Sequence, residues 1–221
     1  MSLIEVNNCS YTYKNKWQTT LAVNNVTTSF EASKFYAIIG KSGSGKTTFL
    51  SMLAGLDIPS KGEILFNGTS TALMNRDNYR RDDVSVIYQS YNLFPLLTVL
   101  ENVAYPLELY GIKTKDAQHR AKQTIEMVGL TDVVYKRYPE MLSGGEQQRI
   151  AIARAICSNA KVILADEPTG NLDTENSKRI IDILYNLAHE KGYCVIVVTH
   201  DLSIADRADS VLHIQDGKLI S

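Results

Sequence analysis

Apolar and polar positions alternate in short runs through about the first 35 residues, as in Leu3-Ile4-Glu5-Val6 and Ala22-Val23-Asn24-Asn25-Val26. That alternation predicts antiparallel strands. Phe35-Tyr36-Ala37-Ile38-Ile39 is continuously apolar and ends at Gly40, the pattern of a buried central strand. Thr47 to Ala54 predicts a helix stopped by Gly55. Glu63-Ile64-Leu65-Phe66 reads as a strand entering a tight turn at Asn67-Gly68, and Val84 to Tyr88 as another strand. From about Ser90 to Ala155 the spacing becomes helical, with Ala121, Ile125 and Val128, Met127 beside them, and Gly129 as a stop. A further helix, carrying Ile150, Ala151, Ala153 and Ile156, starts near Gly145. Val162 to Ala165 and Val195 to Val198 return to buried strands, separated by an amphipathic helix from Ser177 to Glu190 with Gly192 after it. Val211 to Ile220, with Asp216-Gly217 inside, closes as a hairpin. Buried strands alternating with helices predict an α/β fold with a mainly parallel sheet. An N-terminal antiparallel β subdomain and an inserted helical subdomain complete it. The expected division is one domain over 1–221, with a core of 1–89 and 156–221 and a helical insert of 90–155.

Composition narrows the class. The 221 residues are 44% hydrophobic and 21% charged, enough for a large core without staples. Lysine plus arginine (23) nearly balances aspartate plus glutamate (24), so charge gives no case for nucleic acid as a partner. Cys9, Cys157 and Cys194 form no CxxC pair and are expected to be reduced thiols. Met1 to Glu5 has neither a basic n-region nor an apolar h-region, and no apolar run reaches bilayer length. Any membrane process would be served from the cytosol, through a partner.

Gly40-Lys41-Ser42-Gly43-Ser44-Gly45-Lys46-Thr47 fits the phosphate-loop pattern G-x-x-x-x-G-K-[ST]. Glycines let successive N–H groups point inward at phosphate oxygens, and the next helix aims its positive end at the same anion. Lys46 would supply charge to the β- and γ-phosphates, and Thr47 a hydroxyl to Mg²⁺. The candidate ATP contacts run from Gly40 through Thr48.

Three strand ends supply further chemistry. Asp166-Glu167-Pro168 follows an apolar strand, so Asp166 can hold Mg²⁺ through water and Glu167 can act as general base. His200 at the tip of Val195–Val198 lies where open α/β sheets bind ligands, and can contact the γ-phosphate and orient Glu167 and water. His119, His189 and His213 have no such setting and read as surface or structural. Gln89, ending Val84–Tyr88, can reach Mg²⁺ or water and opens the helical insert, a candidate sensor between the two.

Leu142-Ser143-Gly144-Gly145-Glu146-Gln147-Gln148-Arg149 is a second glycine-bearing helix start, with Ser143 a plausible N-cap. Its uncovered N–H groups suit another anion. A phosphate loop, a strand-end glutamine, Leu-Ser-Gly-Gly-Glu, an apolar-Asp-Glu strand and a strand-end histidine, in that order, resemble the ATP-binding-cassette (ABC) ATPase family over essentially the whole chain. Leu142 to Glu146 is the most specific of these motifs. The resemblance implies two cassettes packed head to tail, with Ser143, Gly144 and Gly145 of one touching the γ-phosphate held by the other. It implies that Asn171-Leu172-Asp173 runs along the shared interface, bringing Asp173 to the nucleotide. It implies an adenine-stacking aromatic at Tyr13, with Tyr11 as rival.

The short chain, Asn92-Leu93-Phe94-Pro95 and Glu101 to Leu107 resemble the macrolide-exporter and lipoprotein-release branch. That resemblance implies an ATPase at the cytoplasmic face of the membrane, beneath a separate permease subunit and in some systems an extracytoplasmic adaptor. The alternative is a regulatory ABC ATPase of the cell-division type, signalling through a membrane partner. A chromosome-maintenance head would need long heptad arms, and only about fifty residues separate Gln89 from Leu142. A ribosome-acting factor would need two cassettes.

Overall fold

The computed structural model describes residues 2–14 and 16–220. In chain order the strands and helices are β1 (Ser2–Lys14), β2 (Thr19–Glu31), β3 (Lys34–Ile39), α1 (Lys46–Leu53), β4 (Lys61–Phe66), β5 (Thr69–Ser70), α2 (Arg76–Asp82) and β6 (Val84–Ile87). They continue with α3 (Val99–Leu109), α4 (Thr114–Met127), α5 (Gly144–Cys157), β7 (Val162–Asp166), α6 (Thr174–Lys191), β8 (Cys194–Thr199), α7 (Leu202–Ala205), β9 (Ser210–Gln215) and β10 (Lys218–Ile220).

Two sheets result. β2-β1-β4-β5 is antiparallel throughout, as the alternating N-terminal pattern predicts. The second runs β10-β9-β3-β8-β7-β6 and is parallel except for the β9–β10 hairpin. Its interior strands are buried on both faces, which explains their unbroken apolar runs. Period-2 alternation divides them between two cores. Tyr36, Ile38, Leu164, Ile196 and Val198 face the side packed by α1 and the antiparallel sheet. Phe35, Ala37, Ile163, Ala165, Val195 and Val197 face the helical side.

Register places the chemistry. Ile39 pairs with Thr199, Asp166 with Val198, and Ile87 with Ala165. The loops leaving β3, β8, β7 and β6 therefore emerge side by side at the carboxyl edge of the sheet, where open α/β folds bind ligands.

The helical segment holds α3, α4 and most of α5, which continues through Cys157, two residues beyond the expected boundary. Thr98 caps α3 through a reciprocal capping box with Glu101. Ala121, Ile125 and Val128 are buried, while Met127 faces solvent. α6 buries Ile180, Ile181, Leu184 and Leu187 and ends on Gly192. No helix among the described residues is long and apolar enough to cross a membrane.

Candidate functional site

Gly45 starts α1 with φ +102°, in the left-handed region. An added Cβ there would also collide with the carbonyl of Ala22, so glycine is doubly required. The curl turns carbonyls as well as amides inward. Lys46 is almost fully buried, and its Nζ donates to Gly40 O (2.8 Å) and Lys41 O (3.0 Å). The ammonium thus closes the curve of its own loop. Ser44 Oγ is buried without a hydrogen-bond partner. A buried hydroxyl in that condition is uncommon and suits an incoming acceptor. The loop is braced from outside: Gly217 N donates to Ser44 O (2.9 Å), and Asn24 N to Gly217 O (2.8 Å).

A cavity of about 990 Å³ opens above this loop, the size of a small-ligand site. It is lined by Lys41, Ser42, Gly43, Gly45, Lys46, Thr47 and Thr48, with Gln89, Asp166, Glu167, His200 and Tyr13. Gly40 and Ser44 do not reach the lining.

The acidic pair divides in two. Thr47 Oγ1 donates to Asp166 Oδ1 at 3.2 Å. Burial, with the adjacent Glu167 charge, pushes the Asp166 carboxyl above the usual aspartate range, while Thr47 and Lys46 pull it down. Glu167 takes a left-handed backbone with φ 47°. Its N–H donates to Val198 O (2.8 Å), holding that turn. Its carboxylate is gripped on both oxygens. Oε1 lies 2.9 Å from His200 Nδ1, and Oε2 accepts from Thr199 Oγ1 (3.2 Å) and the His200 N–H (3.4 Å). His200 is mostly exposed and Glu167 mostly covered. A fixed, partly covered carboxylate beside a phosphate cradle has the form of a general base.

Thr47, Asp166 and the Gln89 amide are hard oxygen donors of the kind Mg²⁺ takes. Among the described residues there is no group of three His, Cys, Asp or Glu that could hold a metal unaided. The donor set fits an ion that shares its coordination with substrate phosphates.

Other expected residues are placed as follows. Gln89 lies in the turn after β6, which ends at Ile87 rather than Tyr88. Its Nε2 donates to Asn171 Oδ1 (3.3 Å), and Asn171 Nδ2 donates back to Gln89 O (3.1 Å). Tyr13 lines the cavity and shares a hydrogen bond with Thr48 Oγ1 at 3.2 Å. Tyr11 meets Tyr13 edge-on, and its hydroxyl is engaged by Asp57, 2.9 Å away. Ser143, Gly144 and Gly145 are outside the lining. Ser143 caps α5, its N–H and hydroxyl donating to Glu146 Oε2 at 2.8 and 2.9 Å. Asp173 is also outside the lining: it caps α6, its carboxylate accepting from the N–H and the amide of Asn176 (both 2.8 Å).

Thr20, Leu21, Ala22, Asp216 and Gly217 complete the lining, and Thr199 steadies Glu167; sequence reasoning gave none of them these roles. Their one local signal was the Asp216-Gly217 turn. The rest depends on β2 and the β9–β10 turn folding against a loop far away in the chain.

The family model for ABC transporters matches residues 23–170. The chain is 42% identical over 217 residues to YclH of Bacillus subtilis (strain 168), an uncharacterized ABC transporter ATP-binding protein, covering 98% of this chain and 95% of that one. It is 37% identical over 223 residues to MJ0796 of Methanocaldococcus jannaschii, an uncharacterized ABC transporter ATP-binding protein, covering 98% and 95%. Two solved structures of that cassette superpose with a TM-score of 0.91 and 99% of this chain covered. One is described as a dimeric bacterial ABC transporter cassette, at 36% identity, and the other as a dimeric post-hydrolysis state bound to ADP and Pi, at 35%. By sequence, fold and site, this chain belongs to the ABC transporter family, as an ATP-binding and ATP-hydrolysing cassette.

Proposed function

We propose that two copies of this chain close head to tail around two ATP molecules, and that closing and reopening drive a separate permease at the cytoplasmic face of the membrane. One observation carries the reading. The cavity holds Lys46, Thr47, Asp166, Glu167 and His200 but none of Ser143, Gly144 or Gly145, although these open the 14-residue helix α5 with the geometry of an anion site. One chain supplies half the phosphate contacts, and a second copy supplies the rest. That a structure of MJ0796 is described as dimeric supports a paired cassette.

Lys46 and the loop amides bind the β- and γ-phosphates. Thr47 and Asp166, with Gln89 alongside, hold Mg²⁺, which neutralises phosphate charge when bound. Glu167 takes the proton of the attacking water, and His200 holds Glu167 and faces the γ-phosphate. Tyr13 stacks on adenine: it stands in the cavity, whereas the Tyr11 hydroxyl is tied to Asp57. The branch resemblance of Asn92–Pro95 and Glu101–Leu107 points to an exporter of the macrolide, antimicrobial-peptide or lipoprotein-release type. Leu96 and Leu109 are exposed apolar side chains of the helical segment that a permease could cover.

The test is Glu167→Gln. Turnover should fall about 10²–10⁴-fold while ATP binding persists, and an ATP-bound dimer should accumulate in sedimentation. Parental turnover would remove Glu167 as the base, and a monomer at saturating ATP would remove the closed pair. Purifying the chain from detergent-solubilised membranes should bring a permease with it.

A further inference from the structure

The turn from Ser90 to Asn92 joins the nucleotide cavity to the helical segment, and its backbone is strained. Tyr91 (φ 61°) and Asn92 (φ 49°) are consecutive left-handed residues, neither of them glycine. Such a pair persists only where its surroundings over-determine it.

Arg154 provides that constraint from α5. Its Nη1 donates to Asn92 O (2.7 Å) and its Nη2 to Tyr91 O (3.1 Å), so one planar fork binds both strained carbonyls. The Phe94 ring lies under the guanidinium, 5.6 Å from centroid to Cζ. Among the described residues these hydrogen bonds go to backbone carbonyls and not to a carboxylate. Even for a partly buried cation such as Arg154, the lack of a counter-charge is a cost. Arg154 is therefore a poor choice for filling space and a good one for fixing two carbonyls.

The same turn is held from two other sides. A Cβ on Gly144 would approach the Tyr91 hydroxyl to 2.9 Å, so the start of α5 has its glycine where the Tyr91 side chain packs. Upstream, Gln89 is locked to Asn171 by the reciprocal amide bonds described above. Gln89 in the cavity is thus one residue from a turn that is fastened to α5 at Tyr91 and Asn92.

We propose that Arg154 is a positioning residue for ATP hydrolysis: by clamping the Tyr91 and Asn92 carbonyls it fixes the Gln89 amide at the nucleotide cavity and sets its distance from the start of α5. The inference rests on the reading of Gln89 as a nucleotide contact.

The test compares Arg154→Met and Arg154→Lys in the full chain, by steady-state hydrolysis and by titration with a fluorescent ATP analogue. Arg154→Met should lower kcat about tenfold to a hundredfold, the scale of a misplaced catalytic group, with nucleotide affinity within about twofold of the parent. Arg154→Lys should fall between, because a single ammonium cannot grip two carbonyls as a fork does. Adding Asn92→Gly to Arg154→Met should restore part of kcat, since glycine adopts the left-handed turn without the clamp. Unchanged kcat, a loss confined to affinity, or a folded double variant with no recovery would each overturn the proposal. So would both Arg154 variants losing cooperative melting, which makes the residue structural. Gln89→Ala is measured alongside. Slowed turnover there supports the shared premise; parental turnover removes the Gln89 reading, and this inference with it, while leaving the dimer reading standing.

Discussion

At the scale of single residues, the acidic pair shows how environment divides two neighbouring carboxylates. Asp166 is half-buried at the end of β7 with its carboxyl pushed above the aspartate range, and Glu167, on a left-handed backbone, is held by Thr199 and His200. A folded-state pKa raised above the unfolded value means that the ionised group costs stability at all pH values above both. Asp166→Asn should therefore raise the melting temperature of the nucleotide-free protein near neutral pH while removing Mg²⁺-dependent hydrolysis. A lower melting temperature would show that the Thr47 contact outweighs burial. Lys46 and Thr47 were legible in the sequence because the glycine pattern after β3 marks them, and Asp166 and Glu167 because they close an apolar strand. Thr199 as the support of Glu167 was not: the contact follows from the β7–β8 register, which no local pattern prints. Asp173 was expected along the interface of two copies; within one chain it serves as the helix cap of α6.

At the scale of elements, the phosphate loop acts as a rigid part because β2 and the β9–β10 turn brace it. Gly45→Ala would force a Cβ against the Ala22 carbonyl in a backbone that alanine avoids. It should weaken ATP binding at least about tenfold and lower the melting temperature, read by titration and calorimetry. A second junction is electrostatic. His189, near the end of α6, is held up by the Tyr185 carbonyl and by Asp209, so its pKa is raised. Its stabilisation is full below the ordinary histidine value of about 6.5 and is lost as pH rises through the folded value. His189→Gln should thus lower the melting temperature more at pH 5.5 than at pH 8, by a small amount since the pair is partly exposed. An equal loss at both would deny a charged His189. Most strands and the long helices were legible because their apolar periods are unbroken. α2 was not: Arg76 to Asp82 has Tyr79 as its one buried side chain, and Asn75, its N-cap, was the sole local signal.

At the scale of the whole molecule, the phosphate-loop cavity and the glycine-bearing start of α5 lie on one chain without meeting. The order of motifs made the shared site legible as an expectation, and on the proposed reading a single chain is a poor hydrolase. The most direct measurement is complementation between two disabled variants. Lys46→Ala breaks the loop half of a site, and Gly144→Asp puts both bulk and negative charge on the α5 half, so each alone should be nearly inactive. A head-to-tail heterodimer of the two carries one doubly broken site and one intact site. Mixing them should restore hydrolysis, to about a quarter of the parental rate if pairing is random and the sites act independently. Activity no greater than the sum of the separate variants, with Gly144→Asp alone hydrolysing like the parent, would place the whole site within one chain and contradict the account.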